Sequence, residues 1–303
     1  LGGIMLSDST KLLAETARKI GLNFVNEHDP ESKFIKVNSL DLHYMDWGTS
    51  GKIPMLLLHG GAQNAHMWDY VGLSFSSDFH VIALDQRGHG DSDWAHDGDY
   101  SLEKHQGDIE GFIREVGIAP FNLVGLSMGG QNSTVLTANN PDWVKKVVIV
   151  DVGPEVQGEG IQEIRSFTSL PDELDSFEEF VERVAVYSHL RPIEQIRSSL
   201  KHNIKQLPNG KWTWKTDKAL RDPSRSREAP PTEYLWECIA KIACPALVVR
   251  GGESKVFAEE TGIAMVNLMA NARMVTIEKA GHRVSGDNPV GFEKALVQFL
   301  DAD

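Results

Sequence analysis

Six short apolar runs constrain what this chain can fold into. They fall at residues 55–58 (MLLL), 81–84 (VIAL), 123–124 (LV), 147–150 (VVIV), 247–249 (LVV) and 274–277 (MVTI). None alternates polar with apolar, so both faces of each strand must be buried, as in a parallel sheet covered by helices on either side. Segments with helical spacing lie between them, among them residues 101–117 and 257–270. Strands alternating with helices predict an α/β chain with a doubly wound, mostly parallel sheet.

The flanks read differently. Residues 7–21 place Leu12, Leu13, Ala17 and Ile20 at helical spacing, which predicts a packing helix in an N-terminal arm, residues 1–33. Residues 34–37 and 40–47 read as two strands of an antiparallel hairpin turning at Asn38-Ser39. The stretch 154–245 breaks the strand–helix rhythm with acidic helical segments such as 175–188, a polar Pro-rich passage at 221–231, and Trp212, Trp214 and Trp236. It is expected to form a helical cap, leaving 34–153 and 246–303 as the core, closed by a helix over 292–300.

The chain of 303 residues is 41% hydrophobic and 24% charged, ordinary for a globular protein of one large domain. A formal net charge of −13 argues against nucleic acid or an anionic membrane as partner. The two cysteines, Cys238 and Cys244, suit no disulfide framework and no metal spacing. No run has the length of a membrane span and the N-terminus does not read as a signal peptide, so a cytoplasmic location is expected. Leu1 to Ile4 precede Met5 and are set aside as foreign to the fold.

The chemistry centres on Gly125-Leu126-Ser127-Met128-Gly129, a G-x-S-x-G pattern between an apolar run and a helical segment, 131–139. Strand, tight turn and helix make this pattern a nucleophile elbow, which exposes the Ser127 hydroxyl at the end of a sheet. Serine is a poor nucleophile at neutral pH and needs a base, usually His held by a carboxylate. Among 11 histidines, His282 follows the last apolar run and should reach the same sheet end. His59-Gly60-Gly61 follows the run at 55–58, so the backbone N–H groups of Gly61 and Met128 are the expected oxyanion donors. His59 itself reads as structural, and Asp85 to Ser92 as a turn that fixes neighbouring loops.

The motifs H-G-G, D-x-R-G-x-G-x-S, G-x-S-M-G-G and the late A-G-H, in this order from 59 to 282, resemble the α/β-hydrolase superfamily. The resemblance implies a mostly parallel eight-stranded sheet with a helical cap after the sixth strand. It also implies a Ser–His–acid hydrolase of esterase type, with no metal or organic cofactor. The implied substrate is a small molecule with a carbonyl centre, chiefly a carboxylic ester or lactone. C–C bond hydrolysis, perhydrolysis or a non-catalytic binding role on the same scaffold are the alternatives, and the oligomeric state is left open.

The chain departs from the family at the acid. Arg250-Gly251-Gly252-Glu253-Ser254-Lys255 carries a lysine where relatives place an aspartate, and lysine cannot accept a histidine N–H. Asp151, 24 residues after Ser127 at the end of the run 147–150, is one replacement. Glu253 is a second, Asp287 a weaker third, and an enzyme without an acid a fourth possibility. Lys255 could instead hold a substrate carboxylate, and Trp68, Tyr187 or the cap tryptophans could wall the substrate.

Overall fold

The computed structural model describes residues 6–48, 51–222 and 230–302. Leu1 to Ile4 and most of the polar passage 221–231 lie outside the described residues. Eleven strands are described: β1 (Glu31–Val37), β2 (Leu40–Asp46), β3 (Pro54–Leu58), β4 (His80–Leu84), β5 (Phe121–Leu126), β6 (Val144–Val150), β7 (Glu173–Leu174), β8 (Ile204–Gln206), β9 (Trp212–Trp214), β10 (Ala246–Gly251) and β11 (Ala272–Ile277). The helices are α1 (Asp8–Ile20), α2 (Asp69–Phe75), α3 (Leu102–Val116), α4 (Met128–Asn139), α5 (Gly158–Thr168), α6 (Phe177–Tyr187), α7 (Ile193–Asn203), α8 (Thr232–Lys241), α9 (Glu259–Leu268), α10 (Val284–Asp287) and α11 (Pro289–Leu300).

Eight strands form one sheet in the order β1-β2-β4-β3-β5-β6-β10-β11. The pairs β1–β2 and β2–β4 are antiparallel and the others parallel. Every residue of β5 is buried, as are the last four of β3, β4 and β6, which is why those runs carry no alternation. One core layer packs α1, α2 and α11 on one face through residues such as Ala14, Leu73 and Phe292. The other packs α3 and α9 through Phe112, Ile113 and Met265. Chain order reverses at β3: β4 lies on one side of it and β5 on the other. In open α/β sheets a ligand crevice forms at such a switch point, outside the strand carboxyl ends.

Local signals account for the flanks. Ser7 caps α1 by accepting the Thr10 N–H at 3.1 Å, and Gly21 ends it at φ 89°. The hairpin β1–β2 turns through Asn38 (φ 48°) and Ser39 (φ 68°), a pair of left-handed residues that suits a two-residue hairpin loop.

Between β6 and β10 the chain leaves the sheet. Helices α5, α6 and α7 are joined there by a three-stranded sheet, β7-β9-β8, around a separate apolar cluster that includes Phe180, Ile196 and Leu200. The sequence suggests only helices for this segment, because strands of two or three residues are too short to show a period. α8 lies apart from that cluster: its Leu235 and Cys238 pack on Val135 of α4.

Candidate active site

Ser127 joins β5 to α4 at φ 53°, ψ −118°, a region that non-glycine residues rarely occupy. The surroundings hold it there. Its N–H donates to Val150 O at 3.0 Å, and its carbonyl accepts the Gln131 N–H at 2.9 Å. The flanking glycines are required by contact. A Cβ on Gly125 would lie 2.2 Å from Gly129 O, and one on Gly129 would lie 2.2 Å from Leu58 O. Gly60, in the loop after β3, approaches so closely that a Cβ there would lie 3.3 Å from the Ser127 Cβ.

Three sequence-predicted residues converge. His282 Nε2 lies 3.0 Å from Ser127 Oγ, and His282 Nδ1 lies 2.7 Å from Asp151 Oδ2. Asp151, fully buried, follows β6 at φ 51°. Its Oδ1 accepts the Gly251 N–H at 2.8 Å and its Oδ2 accepts the Ser254 hydroxyl at 2.5 Å. With both carboxylate oxygens accepting from fixed donors, Asp151 is held in place and orients whatever it accepts from. Nδ1–H therefore points at Asp151, which leaves the Nε2 lone pair facing the serine.

The other candidates sit elsewhere. Glu253 is exposed, and its N–H donates to Ala280 O at 2.8 Å. Lys255 is exposed and ion-paired with Glu159 at 3.0 Å and Glu163 at 2.7 Å on α5. Asp287 accepts the Gly281 N–H at 3.0 Å, so it holds the His282 loop and does not touch the ring. Met128 opens α4, where the first N–H groups of a helix lack internal partners. Gly61 is exposed, with open space where a Cβ would be. Trp68 is fully buried against Phe292 and cannot wall a substrate.

The loops beneath are fixed by groups with structural roles. His59 Nδ1–H donates to Gly60 O at 2.7 Å and Nε2 accepts the Gln86 N–H at 2.9 Å. Burial holds its pKa below the ordinary histidine value. Asp85 accepts from the Ala65 N–H at 2.6 Å and the Asp91 N–H at 2.9 Å, and pairs with His43 at 2.7 Å. Ser254 and Gln63 are contributors that carried no sequence signal. The Gln63 side chain accepts the Gly60 N–H at 3.1 Å, which shapes the loop bearing Gly61.

A cavity of about 180 Å³ opens between the loop at Ala62 and Gln63 and helix α7, and its wall includes Arg283, the residue after His282. On its wall His202 stacks on His66, ring centroids 3.7 Å apart. Burial, and then the charge of His66, pushes His202 down to about 4. For His66 burial opposes the charge, but Asp69 at 3.0 Å outweighs it and the pKa is raised. His202 is thus folded as the neutral form. Its stabilisation is present above the unfolded value of 6.5 and is lost as pH falls towards 4. The raised His66 acts oppositely, adding stability at low pH, and offsets part of this loss. A His202→Gln variant is expected to lose about 1–3 kcal/mol less unfolding free energy than wild type between pH 7 and 4.5. Urea titrations at both pH values measure this, and equal losses in the two proteins would refute it.

A serine held at a strand–helix turn on such a sheet, with a histidine at its hydroxyl, is the arrangement of hydrolytic enzymes. The chain matches the model of the α/β hydrolase fold family over residues 53–289 and belongs to that family. It is 30% identical over 301 residues to esterase Rv0045c of Mycobacterium tuberculosis, spanning 97% of this chain and 94% of that one. A crystal structure of that esterase superposes with a TM-score of 0.78 over 100% of both chains, at 28% identity. It is 28% identical over 275 residues to 2-(acetamidomethylene)succinate hydrolase of Mesorhizobium japonicum, covering 89% of this chain and 95% of the relative. The chain is a hydrolase with esterase relatives. Among the described residues no helix is long and apolar enough to cross a membrane.

Proposed function

We propose that this chain is a serine hydrolase that cleaves a small to medium carboxylic ester or lactone through an acyl-enzyme. The observation that carries the reading is the position of His282, with Nε2 3.0 Å from Ser127 Oγ and Nδ1 2.7 Å from Asp151 Oδ2. In this mechanism His282 Nε2 takes the hydroxyl proton as Oγ attacks the carbonyl carbon. The Gly61 and Met128 N–H groups receive the oxyanion. The tetrahedral intermediate collapses, the C–O bond to the leaving group breaks, and His282 returns the proton to the departing alkoxide. Water then attacks the acyl-enzyme with His282 again as base, releasing the acid and free Ser127. Asp151 stabilises the imidazolium in both halves. The segment from α5 to α7 forms the cap over the substrate.

The esterase relative supports this reading at the level of reaction class. A fluorophosphonate probe tests the nucleophile directly. Wild type is expected to label stoichiometrically, and Ser127→Ala to give no label and no hydrolysis of p-nitrophenyl butyrate above background. Label surviving in Ser127→Ala, or equal hydrolysis by both proteins, would sink the proposal.

A further inference from the structure

The cavity between the loop at Ala62 and Gln63 and helix α7, which reaches the residue after His282, is lined by two guanidinium groups that no carboxylate contacts. Arg191, just ahead of α7, and Arg283, the residue after His282, both line it. Arg191 Nε is shut off from solvent and has no hydrogen-bond partner among the described residues. The Arg283 side chain donates to the Ser188 hydroxyl at 2.8 Å. No ion pair within 4.0 Å involves either arginine among the described residues. Burial and the charge of Arg283 push the Arg191 pKa down to about 10, and burial lowers that of Arg283.

The acidic groups nearby are committed elsewhere or face water. Asp287 attracts both guanidinium groups without pairing with either, and it accepts the Gly281 N–H. Asp69 is held by His66 at 3.0 Å, and Glu194 is exposed. Two cations near each other and largely withdrawn from water destabilise a fold unless something compensates them. A guanidinium donates in a planar fork that matches a carboxylate, and such charge-assisted bonds are strong away from water. The cavity wall also includes Ala62 and Gln63, which follow Gly61 in the chain, and Arg283, which follows His282, so the wall adjoins the loops that carry the proposed site.

We propose that Arg191 and Arg283 form a carboxylate subsite, so that the substrate is a carbonyl compound bearing a free carboxylate, such as a half-ester of a short dicarboxylic acid. The proposal rests on the serine-hydrolase reading for turnover and on the arginine pair alone for binding. Two readouts separate these. The first compares mono-p-nitrophenyl glutarate with p-nitrophenyl valerate, of equal chain length and no charge. Wild type is expected to prefer the charged ester, and Arg191→Gln to lower the charged-to-neutral ratio of kcat/KM at least tenfold. Arg191→Lys retains part of the preference, and Lys255→Gln, which removes an exposed cation outside the cavity, leaves the ratio as in wild type. The second readout is calorimetric binding of glutarate, which needs no turnover, with at least tenfold weaker binding expected for Arg191→Gln. Removing the buried charge is also expected to raise Tm, which tells a lost subsite from a damaged fold. Equal glutarate affinity in wild type and Arg191→Gln, or parallel loss of both esters at an unchanged ratio, overturns the proposal. If neither ester is hydrolysed, the hydrolase reading fails and glutarate binding still decides the subsite.

Discussion

Asp151→Asn is expected to lower kcat for p-nitrophenyl butyrate by about 10⁴, while Glu253→Gln leaves it close to wild type. The reason is a tautomer and not a lost charge alone. Gly251 N–H needs an acceptor at the Oδ1 position, 2.8 Å away. The amide oxygen of the introduced side chain would therefore stay there, and its NH₂ would take the place of Oδ2, which now faces His282 Nδ1 at 2.7 Å. An NH₂ at that position donates to Nδ1, so the ring proton moves to Nε2 and points at Ser127. A ring protonated at Nε2 cannot accept the serine proton. The Ser254 hydroxyl can rotate from donor to acceptor, so the fold should survive. Glu253 is exposed and makes no hydrogen bond to His282, so it has no part in this chain of contacts. Steady-state kinetics with a thermal melt of each variant separate lost chemistry from lost fold. The assignment of the acid fails if Asp151→Asn keeps a tenth of wild-type activity, or if Glu253→Gln loses as much as Asp151→Asn.

How much of this could be read from the chain depended on whether the signal was local. The elbow was legible because its requirements are local: an apolar strand, glycines two residues either side of Ser127, and a helix opening at Met128. The buried strands were legible because burial on both faces writes itself as an unbroken apolar run. The carboxylate was legible only as a first choice, Asp151, among alternatives, because Asp151 and His282 are 131 positions apart and only sheet order brings them together. Lys255 in the family's usual slot left four options open that distance alone could separate. Ser254, one residue earlier, supplies a hydroxyl to Asp151, so the loop after β10 supports the carboxylate without providing it. The pairing of Arg191 with Arg283 left no mark either, since one arginine ahead of a helix looks like any solvated charge until the fold encloses it. The strands β7 to β9 were missed because two or three residues hold no period.

Gly129→Ala is expected to cost more than about 3 kcal/mol of stability and to abolish activity, whereas Gly61→Ala costs under about 0.5 kcal/mol and retains it. Both change hydrogen to methyl, yet they meet different surroundings. A Cβ on Gly129 would stand 2.2 Å from Leu58 O and 2.7 Å from His59 O, backbone atoms of β3 and the loop after it. No side chain can swing away, so α4 must lift from the sheet or β3 must yield. β3 is central, paired with both β4 and β5. A shift there also drags the loop through Gly60, which lies against Ser127, and so misplaces the proposed oxyanion donors along with the proposed nucleophile. At Gly61 the same methyl meets nothing within 4 Å. Its proposed role uses only the backbone N–H, which alanine keeps. Urea unfolding and p-nitrophenyl butyrate kinetics on both variants check the pair. A stable, active Gly129→Ala would mean that α4 and β3 pack more loosely than their contacts indicate, and that close backbone approach is not what holds Ser127 at the turn.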